Sequence, residues 1–159
     1  LEDNSLSDRV TIKVEGLDRI LHLLDNLNPS VARIAEARMN SVLERMRDKA
    51  KADAPVGTPE STGVRGYVGG SLKKSVRISR VKKLRDDIYT GQVSAGGYIV
   101  NPNTGKIVDY ASFQEYGTSK ISARRFMRNA RDKFEHEAEQ ALINSVSEAI
   151  EKGGSSWSA

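Results

Sequence analysis

The chain has 159 residues, 38% of them hydrophobic and 29% charged, with a formal net charge of +4. It has no cysteine, which excludes disulfides, thiolate metal sites and cysteine nucleophiles together. No apolar run approaches the roughly 18 residues of a membrane span, and the polar start Leu1-Glu-Asp-Asn-Ser5 lacks the pattern of a secretory leader.

Residues 10–15 alternate apolar and polar, which predicts a short strand broken by Gly16. Leu17, Ile20, Leu21, Leu24 and Leu27 recur at helical spacing, so a short amphipathic helix is expected to run to Asn28-Pro29. Ser30 is the expected N-cap of a long helix over 31–52. Its stripe is Val31, Ile34, Ala35, Met39, Val42, Leu43, Met46 and Ala50, which reads as core or interface. Ala54-Pro55 stops this helix. Residues 55–70 hold five glycines, two prolines and no hydrophobic period, and predict a long loop. Strands are expected over 76–81, 88–95 and 98–108, the last folded into a hairpin at Asn101-Pro-Asn-Thr-Gly105. A final helix is expected over 126–150, with Phe126, Met127, Ala130, Phe134, Ala138, Ala141, Leu142, Val146, Ala149 and Ile150 on one stripe. The order predicts a single α+β domain over 1–152, a mostly antiparallel sheet packed by a long central helix and a C-terminal helix. Residues 153–159 read as a flexible tail.

A search for catalytic groups returns fragments only. Ser71-Leu-Lys-Lys74 fits Ser-x-x-Lys, but the Lys-Thr-Gly and Ser-Asp-Asn segments that accompany it in penicillin-recognising enzymes are absent. His22 and His136 fall on separate helices without a His-Glu-x-x-His spacing. Gly63, Gly66, Gly69 and Gly70 follow a helix and lack a Gly-Lys-Ser/Thr ending, so a phosphate loop is not expected. The expectation is a protein that is not an enzyme and needs no metal and no cofactor.

Seven bases and no acid lie between residues 73 and 85: Lys73, Lys74, Arg77, Arg80, Lys82, Lys83 and Arg85. The run reads either as a surface that meets phosphate or an acidic partner, or as a solvated edge strand protected by its charges.

A second constellation is Tyr110-Ala-Ser-Phe-Gln-Glu-Tyr-Gly-Thr118, followed by Arg125-Phe-Met-Arg-Asn-Ala130. It reads as a packing and docking device built from Tyr110, Phe113, Glu115, Tyr116, Gly117, Thr118, Arg125 and Phe126. The aromatics supply apolar area and Gly117 permits a turn. A buried Glu115 would need a partner, for which Arg124, Arg125 and Arg128 are the candidates.

Taken in order with Ala54-Pro-Val-Gly-Thr58, Thr62-Gly63 and Ser71-Leu-Lys-Lys-Ser-Val76, this constellation resembles the head–tail joining, or tail-completion, proteins of long-tailed bacteriophages. The resemblance covers about residues 12 to 150. Arg125 and Asn129 stand where that family's pattern has proline, and residues 64–70 are an added segment. The resemblance implies a structural virion protein of the neck, assembled in the host cytoplasm, that completes the tail and joins it to the head. The implied partners are further copies of itself in a ring, six-fold favoured, other neck, connector and tail-tube proteins, and transient non-specific DNA in the channel, with no membrane. Within such a ring, Lys73, Lys74 and Arg77 are expected to meet acidic neighbours while Lys82 and Lys83 face DNA. The alternative is a small basic nucleic-acid-binding module. A small hydrolase or toxin would need an assembled nucleophile, base and oxyanion donors, and the sequence shows none.

Overall fold

The computed structural model describes residues 9–63, 65–66, 68–83, 89–97, 101, 103–107 and 110–154. Its elements are β1 (Arg9–Lys13), α1 (Leu17–Leu27), α2 (Pro29–Asp53), α3 (Pro59–Thr62), α4 (Ser71–Ser75), β2 (Arg77–Lys83), β3 (Tyr89–Gly96), α5 (Tyr110–Tyr116) and α6 (Phe126–Gly154). The fold is α+β, as the order of elements predicted.

Both β1 and β2 pair antiparallel with β3, giving the strand order β1-β3-β2. Val10, Ile12, Val93 and Ala95 alternate onto one face and are buried against the helices. The long helix α2 lies at the centre, between this face and α6. Its buried stripe is Val31, Ala32, Ala35, Met39, Val42, Leu43, Met46 and Ala50. Helix α1 closes one side with Leu17, Leu21 and Leu24. Each Val, Leu or Met among them stabilises the fold by roughly 1.5–3 kcal/mol when fully buried.

Helices α2 and α6 run antiparallel and are tied by polar contacts along their seam. Arg38 donates to the Ser145 hydroxyl at 3.1 Å and to Glu148 at 2.9 Å, while Arg45 pairs with Glu137 and lies over the Phe134 ring. Lys152, and with it Arg38, holds the Glu148 carboxyl below the usual carboxylate range.

Several sequence expectations shift. The N-cap of α2 is Asn28, not Ser30: the Asn28 side chain accepts from the Ser30 N–H at 3.0 Å. Pro29 occupies the first turn, where a missing N–H costs nothing, so the cap moves back by two residues. The segment 55–70 is not all loop. Thr58 and Ser61 form a reciprocal capping box around α3, a four-residue signal invisible to a search for hydrophobic period. Ile150 is not on the buried stripe of α6 but exposed. Of the expected hairpin over 98–108, the turn is described, with Asn101 donating to the Lys106 carbonyl and Gly105 to that of Asn101, each at 2.8 Å. Residues 98–100, 102 and 108 lie outside the described residues, as do Arg85 and 155–159.

Candidate functional site

Helix α5 has only seven residues, and each of its faces has a separate task. Ala111 and Glu115, four positions apart, point inward and are buried. Phe113 and Tyr116, three apart, share the outward face and are 42% and 65% exposed. Tyr110 and Gln114 line a neighbouring cleft.

The inward Glu115 carboxylate accepts from the Met127 N–H at 2.9 Å and from the Arg128 N–H at 3.0 Å. These are two of the backbone donors that the first turn of α6 leaves without intrahelical partners. Glu115 is therefore the cap of α6, supplied from another helix, and its charge also meets the positive end of the helix dipole. The arginines expected as its partners, Arg124, Arg125 and Arg128, have exposed side chains instead. Phe126, directly before the two donors, is fully buried.

Between the carboxylate and the helix it caps, the chain must reverse. Gly117 does this at φ +79°, donating to the Phe113 carbonyl at 3.0 Å. A Cβ there would sit 2.8 Å from the Ile121 carbonyl oxygen and 2.9 Å from the Ala123 nitrogen, so only glycine fits. The Thr118 hydroxyl accepts from the Lys120 and Ile121 amides at 3.2 and 3.1 Å. The Arg124 N–H then returns to the Gln114 carbonyl at 2.7 Å. Arg125 completes the entrance at φ 53°, a left-handed conformation that proline cannot adopt. The residues from Glu115 to Thr118 thus act as one clamp on the head of α6.

The upstream motifs come to the same place. In Ser71-Leu-Lys-Lys-Ser75, Leu72 is buried and the Ser75 hydroxyl accepts from the Gly96 N–H at 3.0 Å, which fastens α4 to β3. Gly69 packs directly on Gly57: a Cβ on Gly69 would lie 2.1 Å from the Gly57 carbonyl oxygen. The Asn101 amide donates to the Tyr110 hydroxyl at 2.6 Å, and the Val68 N–H to the Asn103 side chain at 3.1 Å, joining this segment to α5. The result is a cleft of about 600 Å³ walled by Pro55 and Val56, by Ser71 and Leu72, by Tyr110 and Gln114, and by Lys120 to Arg124. Val56 and Ile121 on its rim are exposed apolar residues that sequence reasoning did not single out.

The basic run is dispersed by the fold. Lys73 and Lys74 lie exposed on α4. Arg80 sits in a β-bulge, where residues 80 and 81 oppose Gly91 alone, and donates to Glu44 of α2 at 2.7 and 3.1 Å. Asn40, one helical turn before Glu44, pins the bulge by accepting from the Val81 N–H at 2.6 Å and donating to its carbonyl at 3.3 Å. Arg77 and Lys82 remain exposed on the sheet, while the Lys83 side chain and Arg85 lie outside the described residues. Among the described residues β2, which carries Arg77 and Lys82, is an edge strand, where charges of this kind guard against edge-to-edge pairing. His136 is exposed and His22 hydrogen-bonds Asn26, and no group of three or more potential metal ligands gathers among the described residues.

Residues 18–117 match a protein family described as "Bacteriophage HK97-gp10, putative tail-component". That span is well over half of the chain, and the protein belongs to this family of bacteriophage tail components. No curated protein and no solved structure matches it. The matched span ends on Gly117, so it contains the capping carboxylate and stops before the helix that the carboxylate caps. No described helix is long and apolar enough to cross a membrane.

Proposed function

We propose that this tail component completes the head-proximal end of the tail and joins it to the head, as one subunit of a homo-oligomeric ring around the DNA channel. The observation that carries the reading is the outward aromatic pair Phe113 and Tyr116, held on a helix that Glu115 locks to α6. Large aromatics left in water by a rigid support are what an assembly interface uses as anchors. The same subunit carries a cleft with Val56, Leu72 and Ile121 in or at its walls. A projection and a recess on different faces of α5 and its surroundings allow a head-to-tail contact, which closes into a ring when the rotation per subunit allows. Six copies fit the symmetry general to long tails. Tyr110, Gly117, Thr118, Arg125 and Phe126 support this interface by shaping α5 and the turn behind it. Mechanism here lies in shape and ordered assembly, with no turnover.

A phage lacking this chain is expected to accumulate filled heads and tail tubes that fail to join, with DNA replication intact. Electron micrographs showing intact, infectious particles from the deletion would refute the joining role. Symmetry at the neck of the parental virion tests the ring, which a single asymmetric copy would rule out.

A further inference from the structure

The sheet has a second face, turned away from α2, and the strand register fixes what projects from it. Arg9, Thr11 and Lys13 come from β1, Thr90, Gln92 and Ser94 from β3, and Arg77, Ser79 and Lys82 from β2. Four of these nine side chains are cations, all exposed, and none is an acid or an apolar residue. Arg80 is absent from the group because it follows Ser79 onto the helix side, where it donates to Glu44; the bulge returns Lys82 to the outer face. Arg9 and Arg77, from opposite edges of the sheet, converge over Gly97: a Cβ there would lie 3.0 Å from Arg9 Nε and 3.2 Å from an Arg77 Nη. Two guanidinium groups brought to one point repel each other unless an anion lies between or above them. No ion pair to either is formed among the described residues.

We infer that this face binds the phosphate backbone of duplex DNA, through Arg9, Lys13, Arg77 and Lys82. The buried centre of a protein–protein contact is mostly apolar and depleted in charge, and this face offers no such centre. Interfaces with nucleic acid are polar and strongly positive, as this one is. The part-exposed Thr11, Ser79 and Thr90 hydroxyls and the Gln92 amide can donate to phosphate oxygens without reading sequence, while Ser94 is buried beneath them. Two of the four cations, Arg9 and Lys13, lie outside the basic run and join it only through the pairing of β1 with β3. The inference needs the sheet geometry alone and stands or falls separately from the neck reading, which is judged by virion morphology.

The test is titration of the full-length protein with a 30-base-pair duplex of arbitrary sequence over a range of salt. Binding through four phosphate contacts gives a slope of log affinity against log salt of about −3 to −4. Arg9→Glu/Lys13→Glu should weaken binding at low salt by at least about tenfold, since two of the four contacts become repulsive. Lys106→Glu/Lys133→Glu makes the same change in net charge elsewhere on the surface and should have a far smaller effect. Should the first variant unfold, as circular dichroism would reveal, Arg77→Glu/Lys82→Glu provides the same comparison at the same change in net charge. Absence of duplex binding at low salt overturns the inference. So does an equal loss in both charge-reversal variants, which would reflect net charge alone, or preferential binding of poly-glutamate over DNA, which would assign the face to an acidic protein.

Discussion

Glu115 is buried with two backbone amides as its hydrogen-bond partners, and this sets the consequences of changing it. Glu115→Ala would strip both donors of their acceptor, one of them at a buried bond, at a cost of about 1–3 kcal/mol. Glu115→Gln keeps one oxygen but turns an NH2 group toward the second donor, so it should recover only part of that loss. Urea denaturation of the three proteins checks the order: parent, then Gln, then Ala. If Glu115→Ala is as stable as the parent, the carboxylate is not the cap of α6. The sequence made Glu115 recognisable as an acid among aromatics that would need a partner if buried. It pointed to arginines because they are the nearby cations, whereas backbone donors at a helix start carry no residue-type signal. Gly117 was legible, since only glycine suits a reversal there, but the backbone crowding that requires it depends on Ile121 and Ala123 folding back.

At the scale of elements, the helices were the most legible because an apolar stripe of period 3.6 is local information. Helices α1, α2 and α6 lie where their stripes predicted. The short helices α3, α4 and α5 are too brief to display a period; α3 has its capping box, and α4 and α5 rest on tertiary contacts. The β2 bulge was illegible for a different reason: its cause is Asn40, some forty residues earlier. Asn40 satisfies both polar groups of Val81 at the one place where the edge strand leaves its ladder. Asn40→Leu should therefore destabilise the protein by about 1–3 kcal/mol. It should also raise the rate of amide hydrogen exchange at Val81 relative to the rest of β2. An unchanged exchange rate at Val81 would mean that the bulge is held by something other than this side chain.

For the molecule as a whole, the α+β class followed from the order of strands and helices, but the layout of its surfaces did not. The cleft draws its walls from residues 55–57, from 70–72, and from Tyr110, Gln114, Lys120, Ile121, Ser122 and Arg124, segments far apart in sequence that only the tertiary fold brings together. The four-cation face likewise needs β1 beside β3, an antiparallel pairing across about eighty residues of chain that local patterns do not encode. The alternation over 10–15 put Thr11 and Lys13 on the face opposite Val10 and Ile12, but the expected strand began at residue 10 and so left Arg9 out. What the sequence lacked was the identity of the neighbouring strand.

The seam between α2 and α6 has a consequence for the order of events during synthesis. Arg38 and Ser145 touch across 107 positions of sequence. At about 5–20 residues per second, a ribosome making this chain leaves one side of α2 without its covering helix for roughly 5 to 20 s. During that interval Met39, Val42, Leu43 and Met46 lack part of their final shelter, and the nascent chain is at its most vulnerable to capture by chaperones and to proteolysis. A stalled chain whose emerged portion ends at Gly117 should be cut rapidly by added protease, whereas the released full-length protein should resist. Equal resistance of the two would mean that residues 9–117 already form a closed fold and that α6 is an ornament to it.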